Sequence, residues 1–233
     1  MAENNFSGFP PQLFEFLREL KDNNNREWFQ DNKQRYKEDI VYPVQDFSIA
    51  MGPRLKKISK YYIADPRANG GSMFLIYRDA RFSKNKEPYK TNVGCQFRHH
   101  AGKDAHAPGF YIHLEPGQVF FGGGVWMPPN PMLDKVRQRI IIKPEEWASI
   151  VKKRSFVNRF GELRGDSLKR PPRGYDAEEE YLKDLKRKSF MVMQEADESL
   201  ATSPDFIKEI NNSFKAAAPL MEFVTKSIEL PFS

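Results

Sequence analysis

Between Ser72 and Trp126 the chain carries four short apolar or alternating runs, MFLIY, VGCQF, GFYIHLE and QVFFGGGVW, separated by Gly, Pro, Asn and charged residues. Runs this short are strand-length, and alternation sends successive side chains to opposite faces. Their close spacing predicts an antiparallel sheet. The flanking segments have helical periodicity instead. In PPQLFEFLRELKD, Leu13, Phe14, Phe16, Leu17 and Leu20 share one face, and Pro10 and Pro11 suit a first turn. The Asn23 to Asn25 run ends that helix, and Asn25 caps a second one carrying Trp28, Phe29, Tyr36, Ile40, Val44, Phe47 and Met51, which Pro43 must kink or divide.

After PPNP, Met132, Leu133, Val136 and Ile140 mark a helix, followed by PEEWASIVKK. A basic connector, FGELRGDSLKRPPRGY, leads to a helix over DAEEEYLKDLKRK with Asp176 and Glu179 at capping-box spacing, then to a strand over SFMVMQ. A last helix is expected from Ser203 as cap and Pro204 at its first position, burying Phe206, Ile210, Phe214, Leu220 and Phe223. The order predicts the α+β class: N-terminal helices, a central, mainly antiparallel sheet, and C-terminal helices packed on it, in a single domain over residues 1–233.

Composition narrows the setting. At 233 residues the chain can bury a core without staples, and Cys95, its one cysteine, excludes an internal disulfide and suits a reducing, cytoplasmic compartment. The N-terminal stretch does not read as a signal peptide, and no run approaches membrane-helix length, so no membrane partner is expected. The charge of +6 is unevenly spread: Arg78 to Lys103 holds seven Lys/Arg against two acids, and Lys152 to Arg173 holds eight against two. Two such segments could converge on one anionic partner.

The densest block is YRDARFSKNKEPYKTN, residues 77–92. Read as strand, turn and strand, it places Asp79 and Arg81 on one face and Arg78 and Ala80 on the other. Asp79 then orients Arg81, whose guanidinium suits phosphate or carboxylate, with Ser83, Lys86 and Lys90 completing the grip. The competing reading is a buried Arg78–Asp79–Arg81 network that fastens the sheet to a helix. In the second block, Lys169 and Arg170 sit beside two prolines that stiffen the loop.

Taken in order, NNNREWFQDNKQRY, YRDARFSKNKEPYKTNVG, GFYIHLEP with FFGGGVWMP, and LKRPPRGY make the chain resemble a conserved family, domain of unknown function 2461, found in bacteria and fungi. The resemblance runs from about Phe6 to Phe232. It implies one domain type along the chain and an intracellular setting, with Arg78, Asp79, Arg81, Phe82, Ser83, Lys86, Pro88, Tyr89, Lys90 and Thr91 as its hallmark, and it brings no established activity. The commoner form of the motif has an acid before Lys86; this chain has Asn85, which leaves the turn more basic.

Other chemistry is weakly signalled. Ser83 to Lys86 matches S-x-x-K, but Pro88 follows too soon for the helix that arrangement needs, and Ser149 to Lys152 repeats the pattern. No Walker loop, HExxH, GxSxG or dinucleotide fingerprint is present. Gly122 to Gly124 suit a bulge or close backbone approach better than a phosphate cradle. His99, His100, His106 and His113 lie within fifteen residues, but His99 and His100 should point opposite ways on a strand, so no metal and no cofactor is expected.

The leading expectation is a module that binds an anionic small molecule through Arg78, Arg81, Ser83, Lys86, Lys90, Lys169 and Arg170. The alternatives are an enzyme acting on a phosphorylated or acyl substrate there, with Asp79, Tyr89 or His113 as proton carrier, and a nucleic-acid-binding or protein-interaction surface.

Overall fold

The computed structural model describes residues 6–79, 81, 83–102, 106–176 and 178–233. The first apolar stripe forms α1 (Pro11–Asp22), with Leu13, Phe14, Phe16, Leu17 and Leu20 buried and Pro11 in its first turn. Asn25 accepts a hydrogen bond from the Trp28 amide at 2.9 Å and opens α2 (Arg26–Asp31). The division expected near Pro43 is a chain of elements: α3 (Lys33–Arg35), a π-helical turn (Tyr36–Val41) and α4 (Tyr42–Lys56). The wider turn ends where the proline, having no amide to offer, enters the first turn of α4.

Four strands, β1 (Val93–Arg98), β2 (Gly109–Glu115), β3 (Gln118–Val125) and β4 (Phe190–Ala196), lie side by side in that order, all antiparallel. MFLIY runs along the outer edge of β1 as an irregular strand: the Phe74 amide donates to Gly94 O at 2.9 Å, and the Gln96 amide to Ser72 O at 2.8 Å. The chain then doubles back, with the Arg78 amide on Pro88 O at 2.9 Å and the Lys90 amide on Ile76 O at 2.8 Å. At the other edge the Arg164 amide donates to Met191 O at 2.8 Å, and the Leu168 amide to Lys186 O at 2.7 Å.

The helical remainder is α5 (Asn130–Ile142), α6 (Pro144–Val151), α7 (Arg154–Phe160), α8 (Leu182–Leu185), α9 (Glu198–Ala201) and α10 (Phe206–Ser227). Helix α7, too short to show a period, buries only Phe156 and Phe160. Of the helix expected over DAEEEYLKDLKRK the single turn α8 forms, and it stops where Lys186 to Lys188 pair with the Asp166 to Leu168 segment instead. Ser203 does not cap the last helix; its hydroxyl donates to Leu200 O at 2.9 Å, and α10 begins at Phe206. His99 and His100 do not point apart, since β1 has ended at Arg98; their rings stack at 4.7 Å, with both against Tyr61. Among the described residues no His, Cys, Asp and Glu group could hold a metal ion, and no helix is long and apolar enough to cross a membrane.

Helices cover one face of the sheet. Phe110, Ile112 and Leu114 of β2 are buried there, where Phe110 stacks on Phe214 of α10 at 4.5 Å and Phe121 meets Phe206 at 5.7 Å. On the opposite face Tyr111, His113, Glu115, Phe120, Met191 and Met193 stay partly exposed. Gly122 belongs to that face, and a Cβ there would lie 1.8 Å from Val192 O, so the glycine permits close approach of β3 and β4, as its surroundings in sequence suggested.

Buried guanidinium groups, at Arg137 and Arg187, fasten α5 to α8 and to the segments beside β4. Arg137 donates from Nε to Leu185 O at 2.7 Å and from Nη2 to Arg187 O at 3.1 Å; Arg187 donates to Leu163 O and to Asp184 Oδ1, both at 2.9 Å. The other Asp184 oxygen accepts from Trp147 Nε1 at 2.8 Å. Asp184→Ala strands a buried cation and a buried indole N–H together and is expected to cost about 3 kcal/mol in urea unfolding.

Burial also raises Tyr36 and Cys95 to about 12, and raises Tyr62 despite its bond to Thr225. The folded state keeps protons that the unfolded chain releases above pH of about 9 to 10. Their contribution is therefore intact below that range and is lost as pH rises toward 12, so the urea midpoint should fall steeply over that interval.

Candidate functional site

The charged hairpin is a solvated projection at its tip and a structural joint at its base. At the tip, Arg81 donates to both Asp79 oxygens at 2.9 and 2.7 Å, with the two side chains 77% and 59% exposed. The Arg81 guanidinium beside it holds the Asp79 carboxyl low, at about 2. Arg78 donates to Ser83 Oγ at 3.2 Å, and Lys86 Nζ lies 3.4 Å from Arg81 O. Asn85, where the commoner motif has an acid, turns back on Glu87, donating to its carboxylate at 2.7 Å and accepting its amide at 2.9 Å. Ala80 and Phe82 of the motif lie outside the described residues.

At the base, Tyr89 is buried and stacks on Phe29 at 4.1 Å. Its backbone is gripped by Asn24, which accepts the Tyr89 amide at 3.1 Å and donates to Tyr89 O at 3.0 Å. The Asn run therefore does two jobs: Asn25 caps α2, and Asn24 docks the hairpin. Lys169 and Arg170 are exposed just beyond the segment bound to β4, so all four strands stand between them and the hairpin, and the two basic blocks are not brought together.

The concave feature is on the open face of the sheet. A cavity of about 320 Å³ is lined by Phe74, Tyr111, Phe120, Met191, Met193 and Trp126, with glycines at 109, 122 and 124 giving it depth. It continues past Phe120, Met191 and Met193 into a second hollow of about 570 Å³ bounded by Arg164, Gly165 and Glu195. Together they form an apolar trough across the strands. Trp126, 56% exposed, makes part of the rim and stacks with His106 at 5.8 Å. Lys90 stands beside one lining residue: its ammonium donates to Leu75 O at 2.6 Å and lies 5.9 Å from the Phe74 ring, and burial lowers its pKa.

Along the trough's edge, β2 presents Tyr111, His113 and Glu115 at alternate positions of one face. Tyr111 Oη is 3.2 Å from His113 Nδ1, and His113 Nε2 is 3.1 Å from Glu115 Oε2. Glu115 also accepts from Thr91 Oγ1 at 3.3 Å, and Asn92 Nδ2 lies 3.5 Å from His113 Nδ1. Thr91, the last residue of the hallmark, and Asn92 after it thus contact this line. A Cβ on Gly94, the cross-strand partner of His113, would come within 2.7 Å of the Tyr111 hydroxyl, so glycine there leaves the hydroxyl its room. Burial, with a smaller influence from Cys95 and Glu115, pushes Tyr111 up to about 12.

Of the side chains singled out in sequence, His113 packs against Phe120 and Tyr111, and Lys90 against Phe74, all three lining residues, whereas Arg78, Asp79, Arg81, Ser83 and Lys86 belong to the hairpin and Tyr89 to its anchoring. Tyr111 and Glu115 were not singled out, although GFYIHLE carries the signal: three polar-tipped residues at period two must share a face of the strand.

Removing the tip and the base should have opposite consequences. Arg81→Ala leaves the thermal midpoint unchanged within error, because exposed pairs add little. Asn24→Ala loses both bonds to the Tyr89 backbone and lowers stability by about 1 to 2 kcal/mol in denaturant titration.

No curated protein and no solved structure matches the chain. A family model described as a conserved hypothetical protein, DUF2461, matches residues 12–223, which takes in both helical flanks, the charged hairpin and all four strands. The chain belongs to that family.

Proposed function

We propose that this protein binds a small organic anion whose apolar or aromatic body lies in the trough and whose phosphate, sulfonate or carboxylate group meets Lys90 at the rim. The observation that carries the reading is the conjunction of an aromatic and methionine-lined hollow with one partly buried ammonium beside its Phe74 wall. Small-ligand sites have this makeup: mostly apolar walls, with few polar groups to fix orientation. Methionine side chains at 191 and 193 suit such a floor because they adapt to irregular ligands. The exposed cations of the hairpin add attraction at longer range and raise the encounter rate of an anion.

Calorimetric titration with naphthalene-2-sulfonate, 2-naphthol and inorganic sulfate tests the assignment. The sulfonate is expected to bind, about tenfold more weakly in Lys90→Gln and to a similar degree in Phe74→Ala, whereas 2-naphthol loses affinity only in Phe74→Ala. Sulfate binding that depends on Arg81 and is indifferent to Phe74 would move the site to the hairpin tip. Oligonucleotide binding that collapses with salt, without sulfonate binding, would replace a small ligand with nucleic acid.

A further inference from the structure

We propose that Tyr111 is an acid–base residue, with His113 and Glu115 as the positioning residues that take up and stabilise its proton. The inference rests on the reading of the trough as a ligand site and assigns that site a chemistry. Its basis is the unbroken line from Tyr111 Oη to His113 Nδ1 at 3.2 Å and from His113 Nε2 to Glu115 Oε2 at 3.1 Å.

With Glu115 ionised and His113 neutral, the protons in this line have one arrangement. An ionised Glu115 only accepts hydrogen bonds, so His113 carries its proton on Nε2, and bare Nδ1 accepts from the Tyr111 hydroxyl. Tyr111 lines the cavity, and this arrangement leaves the lone pairs of its Oη for a ligand donor. When a ligand hydroxyl gives its proton to Tyr111 Oη, the tyrosine's own proton passes to His113 Nδ1. The resulting imidazolium is held by the Glu115 carboxylate. One proton leaves the ligand and one arrives on His113, and the reverse passage returns it. A nucleophile-like atom, a base and a group that orients the base are the elements of an activated site.

The surroundings fix the base further. His113 stacks on Phe120 of β3 at 4.5 Å and is 12% exposed, so its ring cannot swing freely. The titratable groups on this face are Glu115 on its own strand, Glu195 on β4 beyond Phe120, and Lys90 beside Phe74, while Cys95 of β1, paired with Ile112, lies on the covered face of the sheet. Asn92 adds a neutral contact to Nδ1.

Naphthalene-2-sulfonyl fluoride tests the relay directly. Tyr111 Oη attacks sulfur, an S–O bond forms, the S–F bond breaks with its electron pair leaving on fluoride, and the phenolic proton passes to His113. Peptide mapping by mass spectrometry gives the second-order rate at Tyr111. The expected rate exceeds that of N-acetyltyrosinamide by at least about tenfold and falls by a similar factor in His113→Gln and in Glu115→Gln. Both variants keep a hydrogen-bonding side chain but lose the base or the charge. The wild-type rate should depend on pH differently from that of His113→Gln, because only the wild type passes the phenolic proton to a ring nitrogen.

Labelling no faster than the free amino-acid amide, or labelling equally fast in His113→Gln with an unchanged thermal midpoint, overturns the relay. Binding of naphthalene-2-sulfonate, measured in parallel, reports on the trough separately. Loss of that binding with His113-dependent labelling retained overturns the ligand class alone.

Discussion

One-sided coverage of the sheet is the constraint on which the rest depends. Helix α10 lays Phe206 and Phe214 against Phe121 and Phe110, so alternate residues of β2 and β3 must be apolar on that face. The intervening residues are released from that requirement. A strand in which every second side chain is committed to the core leaves the others available for a site, and the rigid ladder fixes their spacing. Tyr111, His113 and Glu115 stand on such a set, and so does the aromatic floor beside them.

The charged hairpin then takes on a different role from the one its composition suggests. Its tip is solvated, its Arg81–Asp79 pair is exposed, and the buried guanidinium network lies at Arg137 and Arg187. What the hairpin contributes is position: Tyr89 locks it to Phe29, Asn24 clamps its backbone, and the residues that follow, Lys90, Thr91 and Asn92, are delivered to the trough and to the Tyr111 line. One short segment thus combines an exposed charged tip, a buried anchor at Tyr89 and contacts to the Tyr111 line.

Much of the fold was legible in the sequence because hydrophobic period reports directly on burial. The stripe of α1, the Asn25 cap, the alternation of β2 and the run that forms β4 each stand in the expected place. The misplaced features share a cause. The helix over DAEEEYLKDLKRK lost its last three residues to pairing with a segment twenty residues earlier, and the Ser203 hydroxyl was taken by Leu200 O. Local propensity cannot see a distant partner that competes for the same backbone or side chain.

The same distinction divides the site. By itself the sequence determined the α+β class, the concentration of cations between residues 78 and 90, and the period that puts Tyr111, His113 and Glu115 on one side of a strand. Only the tertiary structure decided which side that was, that the two basic blocks sit at opposite edges of the sheet, and that Lys90 and Asn92 reach the open face. Alternation specifies that two faces differ, but which one stays open is fixed by helices packed from both ends of the chain, through contacts that no local pattern records.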